Sequence, residues 1–300
     1  MKRIPLLIDT DPGVDDFFCL AIGCAFKELF DLKAVTTIGG NNATKITTQN
    51  ALNILKLLNR EDVPVAPGAD SFTARPFGKP VAKFHGLNGL GNVELNKAER
   101  KAEDMSACDM IYRVAKECNG ELVVVTVGPQ TNLGTALAKY PDLKDMIKKL
   151  VVMGGTITTG NVSPYAEANI YNDAEASRIV FASGIPIDMV GLNVTMKAPL
   201  GKEILNTVND TVRKDVYDVM EKLIEFRNGE PMHDAIAIAS LVDENMITWK
   251  DSYTTVIDGD GEKRGVTVTD WQAPCFNSRI AVDINTDAYY HVITEMINRY

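Results

Sequence analysis

The sequence predicts a single-domain α/β fold, a Rossmann-like open and mainly parallel sheet flanked by helices. Short apolar runs of strand length alternate along the chain with longer segments that have helical periodicity. Parallel strands need crossover helices, and these helices then cover both faces of the sheet. The 300 residues are 45% hydrophobic and contain no linker-like or low-complexity stretch, which favours one large core.

The alternation of strands and helices begins near the N-terminus and continues to about residue 190. The predicted strands are residues 4–8, 34–38, 63–65, 122–127, 150–153 and 187–190. The predicted helices are residues 14–26, 44–58, 105–118, 133–139 and 174–182. Asp11 is predicted to be the N-cap of the first helix, with Pro12 at the first helical position.

Three later segments depart from this alternation. Residues 201–226 and 232–241 have helical patterns, which predicts a helical region over residues 201–242 near the site. Residues 254–270 predict a hairpin that turns at residues 258–261, DGDG. The glycine-rich segment 67–100 is too long for a simple connection, so we expect an active-site flap there. All of residues 1–300 are assigned to one domain.

The bulk properties exclude several classes of function. A net charge of −9 argues against capture of nucleic acid or an anionic membrane, so a small neutral or polar substrate is expected. No apolar run approaches the length of a membrane span, and no signal-peptide pattern is present. The five cysteines form no C-x-x-C pair, which favours reduced thiols. Together these features predict a cytoplasmic protein.

Four aspartates lie within residues 9–16, DTDPGVDD, directly after the first apolar strand, and no lysine or arginine occurs between Arg3 and Lys27. Two carboxylates about 4 Å apart repel by about 4 kcal/mol at the effective dielectric constant near a protein surface. A metal ion is therefore the natural partner, and all-oxygen ligands favour Ca²⁺ or Mg²⁺. An isolated aspartate is more often a helix cap, but four together favour a metal site.

Other polar motifs follow the predicted strands, where ligands collect in open α/β sheets. Asn41, Thr126 and Met153 come at or just after the ends of the second, fourth and fifth strands. Residues 161–173, NVSPYAEANIYND, are rich in amides and carboxylates, which suits a site for several hydroxyl groups. Taken singly, Asn41 is also consistent with a turn or cap, and residues 161–173 with a solvated loop.

Two of the three histidines have contexts that favour a functional role. His85 lies in the glycine-rich flap, and His233 adjoins Asp234 at the start of an apolar helix. Helix capping explains Asp234 about as well as catalysis does. His291 belongs to an amphipathic C-terminal helix, where a structural role is expected.

Six segments together resemble the inosine-uridine-preferring nucleoside hydrolase family. DTDPGVDD looks like its N-terminal signature, and the similarity extends to about residue 270. The further blocks, in family order, are GGN at residues 39–41 with Asn50 and Ala51, HGLNGLGN at 85–92, TVGPQTNL at 126–133, AEANIYND at 166–173 and HDAIAIA at 233–239. The resemblance implies the nucleoside hydrolase fold and hydrolysis of ribonucleosides to ribose and free base.

The resemblance also implies a set of site residues and one Ca²⁺ per subunit. Metal ligands are matched by Asp11, Asp16, Asp234 and the carbonyl of Thr126, and Asp11 matches the general base. His233 and His85 match positions that face the base, and His233 is expected to assist its departure. Residues that hold the ribose are matched by Asp15, Asn41, Asn161, Glu167 and Asn169, with Met153 beneath the sugar. A homodimer or homotetramer is expected.

One departure and two rival functions stay open. Phe226 and Arg227 lie near a point where many relatives carry a tyrosine by the base, so purine or pyrimidine preference is not predicted. Residues 9–11 and 257–260 also resemble the acidic motifs of Mg²⁺-dependent phosphatases of the haloacid dehalogenase type. The continuation PGVDD opposes that interpretation. The second rival is a nucleoside- or sugar-binding protein without catalytic activity.

Overall fold

The computed structural model describes residues 2–300 and contains one nine-stranded sheet of order β3-β2-β1-β4-β5-β6-β9-β7-β8. Strand β7 is antiparallel to its neighbours β8 and β9, and the other adjacent pairs are parallel. The strands are β1 Ile4–Thr10, β2 Phe30–Thr37, β3 Val65–Pro67, β4 Leu122–Thr126, β5 Ile147–Met153, β6 Ile187–Val190, β7 Ile247–Val256, β8 Thr267–Asp270 and β9 Ser278–Ile284. The predicted open, mainly parallel sheet is confirmed.

The helices cross between the strands and flank the sheet. They are α1 Val14–Ala25, α2 Thr44–Leu57, α3 Ala82–His85, α4 Ala107–Cys118, α5 Thr131–Lys139, α6 Ala168–Asn172, α7 Ala174–Phe181, α8 Leu192–Thr195, α9 Lys214–Arg227, α10 His233–Ala239 and α11 Thr286–Asn298. Short 3-10 turns occupy Pro141–Asp145 and Lys202–Thr207. None of the helices within residues 2–300 is long and apolar enough to cross a membrane.

Two hydrophobic cores lie on opposite faces of the sheet, because successive side chains of a strand alternate between its faces. In β1, Leu6 and Ile8 belong to the core formed with α1, α2, α9, α10 and α11. Leu7 belongs to the other core, which α4, α5 and α7 cover. Burial of the central strands on both sides explains why they are nearly continuous apolar runs.

The structure differs from the prediction mainly after residue 200. Residues 201–226 do not form one helix, since a 3-10 turn is followed by an irregular stretch at 208–213 before α9 begins. That stretch, VNDTVR, combines β-branched residues with Asn and Asp, whose side chains compete for backbone hydrogen bonds. The hairpin over residues 254–270 is confirmed by the pairing of β7 with β8. Strand β9 and the first half of β7 were not predicted.

Candidate active site

The loop between β1 and α1 carries the acidic signature. The N-cap of α1 is Gly13, so the prediction that Asp11 caps this helix is wrong. The Gly13 carbonyl accepts the first helical hydrogen bond from the Phe17 N–H, and the Gly13 N–H donates to the Asp16 carboxylate at 2.8 Å. Asp11 therefore lies before the helix, and its carboxylate is available for contacts outside it.

Three carboxylates converge at the carboxyl edge of the sheet. One oxygen from each of Asp15, Asp16 and Asp234 lies within 4.8 Å of the other two, and all three residues are buried. Asp15 and Asp16 are in the first turn of α1, and Asp234 is in the first turn of α10. Because α10 packs against α1 in the same core, residues more than two hundred positions apart in the chain meet here.

Asp11 lies beside this group but is turned toward a neighbouring loop. Its carboxylate accepts a hydrogen bond from the Asn41 N–H at 2.7 Å. The Asn41 side chain in turn donates to the Asp11 carbonyl and to the Asp16 carboxylate, both at 3.1 Å. Compared with the expected metal ligands, the close group thus contains Asp16 and Asp234, adds Asp15, and has Asp11 next to it.

Burial and mutual repulsion perturb these carboxyl groups. Burial, followed by the negative charge of Asp16, raises the pKa of Asp11 well above its usual range. The same two causes, burial and nearby carboxylates, raise the pKa of Asp16 to about 6 and that of Asp234 well above its usual value. Asp15 is the exception: burial opposes its ionisation, but the positive charge of Arg227 and the nearby histidines lower its pKa.

The donor set fits a hard divalent cation. Every candidate side-chain ligand is a carboxylate oxygen, and Asp15 Oδ1 is buried without a hydrogen-bond partner in residues 2–300. A bound cation would supply the missing partner and the opposite charge that the raised pKa values of Asp16 and Asp234 call for. Thr126 ends β4 directly beside Asp9 of β1, so its main chain reaches the same edge.

Three of the predicted sugar-binding residues, Met153, Glu167 and Asn169, lie close together at the end of β5. Met153 is buried there, and the Asn169 side chain donates to the Val127 carbonyl at 2.7 Å and to the Met153 carbonyl at 3.3 Å. Glu167 is buried and caps α6, accepting from the Gly155, Asn169 and Ile170 N–H groups at 3.0, 2.8 and 3.1 Å. Burial raises the pKa of Glu167. Its carboxylate therefore has a structural role as well as a place at this edge.

Asn161 lies further out than the other predicted residues of this group. Its side chain is exposed, and its Oδ1 accepts a hydrogen bond from the Ala168 N–H at 2.9 Å. This bond ties the loop after β5 to the start of α6. Asn161 precedes Glu167 by six residues and Asn169 by eight, and its side-chain oxygen is bonded to the residue between them.

The two predicted histidines lie on different elements, His85 at the end of α3 and His233 at the start of α10. His85 is buried, its Nδ1 accepts from the Val14 N–H at 3.2 Å, and this nitrogen is 3.7 Å from Asp15 Oδ1. His233 Nδ1 shares a hydrogen bond of 2.7 Å with the Thr195 hydroxyl. Burial lowers the pKa of both histidines, and that of His233 to about 4. Burial therefore favours the neutral imidazole at both positions. His291, in contrast, is exposed on α11.

The segment 67–100 lies over the β1–α1 loop. It is irregular except for α3, and it docks through Asn50 of α2, whose amide donates to the Pro12 carbonyl at 3.1 Å and to the Asn88 carbonyl at 2.9 Å. Leu87, which precedes Asn88 in this segment, is 80% exposed. The arrangement is consistent with the expected flap, whose function stays a prediction.

The sequence does not predict Thr195 as a site residue, and it indicates Arg227 only through the resemblance, near a point where many relatives carry a tyrosine by the base. Thr195, at the end of α8, is fully buried against His233, and Arg227, at the end of α9, is buried close enough to Asp15 to lower its pKa. An arginine that ends an otherwise amphipathic helix is a weak signal of burial. Thr195 gives no signal of its own.

The second acidic motif of the phosphatase interpretation lies outside this site. Asp258 and Asp260 are in the loop between β7 and β8, where they form ion pairs with Arg178 and Arg75 respectively. Neither residue belongs to the converging carboxylates. The haloacid dehalogenase interpretation loses the second of its two motifs.

The chain is similar to known proteins along nearly its whole length. The family model for inosine-uridine preferring nucleoside hydrolases matches residues 6–291. A protein named pyrimidine-specific ribonucleoside hydrolase RihA, from Escherichia coli O7:K1, is 32% identical over 315 aligned residues that cover 99% of each chain.

Solved structures extend this agreement to the fold. A plant nucleoside hydrolase, PpNRh1, superposes with a TM-score of 0.91 at 28% identity and covers 99% of both chains. The purine-preferring ribonucleoside hydrolase from Gardnerella vaginalis also gives a TM-score of 0.91, at 31% identity over 98% of both chains. Since the family model, the full-length relatives and the fold agree, the chain belongs to the inosine-uridine preferring nucleoside hydrolase family.

Proposed function

We propose that this protein is a Ca²⁺-dependent enzyme that hydrolyses the N-glycosidic bond of ribonucleosides to give ribose and the free base. The observation that carries the proposal is the buried convergence of Asp15, Asp16 and Asp234 beside Asp11. A divalent cation would relieve the mutual repulsion of carboxylates held this closely. The relatives bear the names of ribonucleoside hydrolases with either pyrimidine or purine preference, so the preferred base of this chain stays open.

Each residue then has a role in the reaction. Breaking the ribosyl C–N bond develops oxocarbenium character at the sugar, and buried carboxylates stabilise that positive charge. Asp11, Asp16, Asp234 and the Thr126 carbonyl would hold Ca²⁺, which would supply positive charge beside the attacking water and the ribose hydroxyls. Asp11 accepts the proton of that water as its oxygen bonds to the anomeric carbon.

The remaining residues bind the two ends of the substrate. The amide and carboxylate groups proposed to hold the ribose hydroxyls are those of Asp15, Asn41, Asn161, Glu167 and Asn169, with Met153 packing beneath the sugar. His233 and His85 face the base. Because the pKa of His233 is lowered to about 4, a neutral imidazole that donates one hydrogen bond fits its assisting role better than an imidazolium.

The test of this function compares two activities in the same protein. Chelator-treated enzyme is assayed for ribose release from uridine and inosine, and for phosphate release from a simple phosphomonoester, before and after Ca²⁺ or Mg²⁺ is added. We expect ribose release that depends on Ca²⁺, and no phosphate release. Phosphate without ribose would support the phosphatase instead, and nucleoside binding without turnover would support the non-catalytic binding protein.

A single substitution connects that activity to the site. Asp11→Asn is expected to lower turnover by about 10²- to 10⁴-fold, since it removes the proposed base. Asp210→Asn, at an exposed position, is the matched control and should leave turnover unchanged. A homodimer or homotetramer is also proposed, and light scattering would measure the subunit number. The cytoplasmic location stays a prediction.

A further inference from the structure

Arg227 is a buried cation that forms no salt bridge with a carboxylate of residues 2–300. Its side chain is 6% exposed, and its hydrogen bonds within residues 2–300 go to two main-chain carbonyls, that of Pro231 at 2.7 Å and that of Phe84 at 3.4 Å. The Nε atom is buried with no partner in the same part of the chain. Burying a guanidinium this way costs stability, so its position calls for a reason other than the packing of α9.

The location of the guanidinium suggests that reason. Phe84 directly precedes His85 in α3, and Pro231 lies two residues before His233. The guanidinium carbon is 5.9 Å from the centre of the Phe84 ring, and the charge lowers the pKa of Asp15. Arg227 thus joins the two segments that carry the proposed base-facing histidines, through its hydrogen bonds to the Phe84 and Pro231 carbonyls.

The proposed reaction develops negative charge on the departing base, next to the histidine-bearing segments that Arg227 joins. When the C–N bond breaks, its electron pair stays on the departing base, while the water oxygen bonds to the anomeric carbon and its proton passes to Asp11. The base carries negative charge, spread onto its carbonyl oxygens, until it takes up a proton. A guanidinium is always charged and presents several N–H donors to such oxygens, and in a water-poor site this stabilisation is large.

We propose that Arg227 is a further catalytic residue that binds the carbonyl oxygen of the nucleobase through its unused N–H donors and stabilises the leaving base. This inference rests on the function proposed above and adds the group that accommodates the negative charge. The guanidinium keeps its own protons, so the base is finally protonated by another donor. Substrates whose base carries no carbonyl oxygen, such as adenosine, are expected to gain least from Arg227.

A structural role is the competing explanation. In that view Arg227 only ties the flap to α9 through the Phe84 carbonyl and the Phe84 ring. The two roles differ in their dependence on the leaving group. A flap contact affects every substrate that must be enclosed, whereas stabilisation of the departing base matters little for a leaving group that is stable as an anion.

The experiment compares uridine with para-nitrophenyl β-ribofuranoside, whose phenolate leaves without assistance. For Arg227→Met we expect kcat/KM on uridine to fall by about 10²- to 10³-fold, and the activity on the nitrophenyl substrate to stay near that of wild type. The melting temperature should stay near that of wild type, because the buried charge and its two hydrogen bonds to main-chain carbonyls are lost together. Arg227→Lys should recover part of the uridine activity. Arg213→Met, at the other end of α9, is the control.

Equal losses on the two substrates, or a lower melting temperature with equal losses, would overturn the proposal in favour of the structural role. Arg227→Lys covers the case in which the methionine variant does not fold, and its uridine-specific loss is then the deciding measurement. Wild-type protein that hydrolyses neither substrate in the presence of Ca²⁺ would refute the proposed function itself, which is a separate outcome.

Discussion

Replacing Asp234 by Asn should stabilise the metal-free protein while it removes activity. Asp234 is one of three buried carboxylates whose oxygens lie within 4.8 Å of one another. At that separation and an effective dielectric constant of about 20, each ionised pair repels by about 3.5 kcal/mol. Asparagine has nearly the same shape and no charge. The variant therefore removes two of the three repulsive pairs.

The gain in stability of Asp234→Asn over metal-free wild type should increase with pH. Burial and neighbouring carboxylates raise the pKa of Asp234 above its value in the unfolded chain. The folded state then binds more protons than the unfolded state as the pH rises from about 4, so metal-free wild type loses stability with rising pH. We expect Asp234→Asn to be more stable near pH 8 by about 3.5 kcal/mol for each of the two removed pairs that is ionised there, at most about 7 kcal/mol, and equal to wild type near pH 4.

The assay is urea denaturation of chelator-treated protein across this pH range, followed by circular dichroism. Asp210→Asn, at an exposed position, controls for the loss of one negative charge. Adding Ca²⁺ should stabilise wild type more than the variant, because the variant has lost a ligand. A metal-free variant that is no more stable than wild type near pH 8 would show that the three carboxylates do not repel as the structure indicates.

Three further outcomes are expected. Gly13→Ala places a methyl group against His85 Nδ1, so kcat/KM should fall by about 10- to 10²-fold, whereas Gly78→Ala, which meets open space, should match wild type in the same assay. Glu175→Gln leaves the buried Arg264 without its anion and should cost about 3 kcal/mol in urea denaturation, and a change near zero would contradict that pairing. Deoxyribonucleosides that lack one ribose hydroxyl should be cleaved at least about 10²-fold more slowly than ribonucleosides, and equal rates would exclude hydroxyl recognition.

The central fold could be predicted because its signals are local. Strand β4 and the central parts of β1 and β5 are buried on both faces, so each contains an apolar run that differs clearly from the amphipathic helices beside it. Strand β7 lies near the edge of the sheet and alternates buried and exposed residues irregularly, which weakens its pattern. The break at residues 208–213 was missed because a few polar residues shift a helical pattern only slightly.

The site was predictable only where its residues are close in sequence. Three of the acidic groups, Asp11, Asp15 and Asp16, are close together in DTDPGVDD, and the resemblance to a family was needed to place Asp234 and Thr126 beside them. The contact of Arg227 with Phe84 joins residues 143 positions apart, and that of His233 with Thr195 joins residues 38 apart. Such pairs depend on how α8, α9 and α10 pack, which no local pattern specifies.

The position of β1 has a consequence for synthesis of the chain. β1 is made first yet lies inside the sheet, between β2 and β4, and α1 follows it with two of the three close carboxylates. The third carboxylate, that of Asp234, can join them only after residue 234 has left the ribosome. A nascent chain can thus assemble the first half of the sheet with two close carboxylates instead of three, and therefore with less mutual repulsion. If the proposed metal site is correct, tight binding of a cation would begin only after α10 has been synthesised.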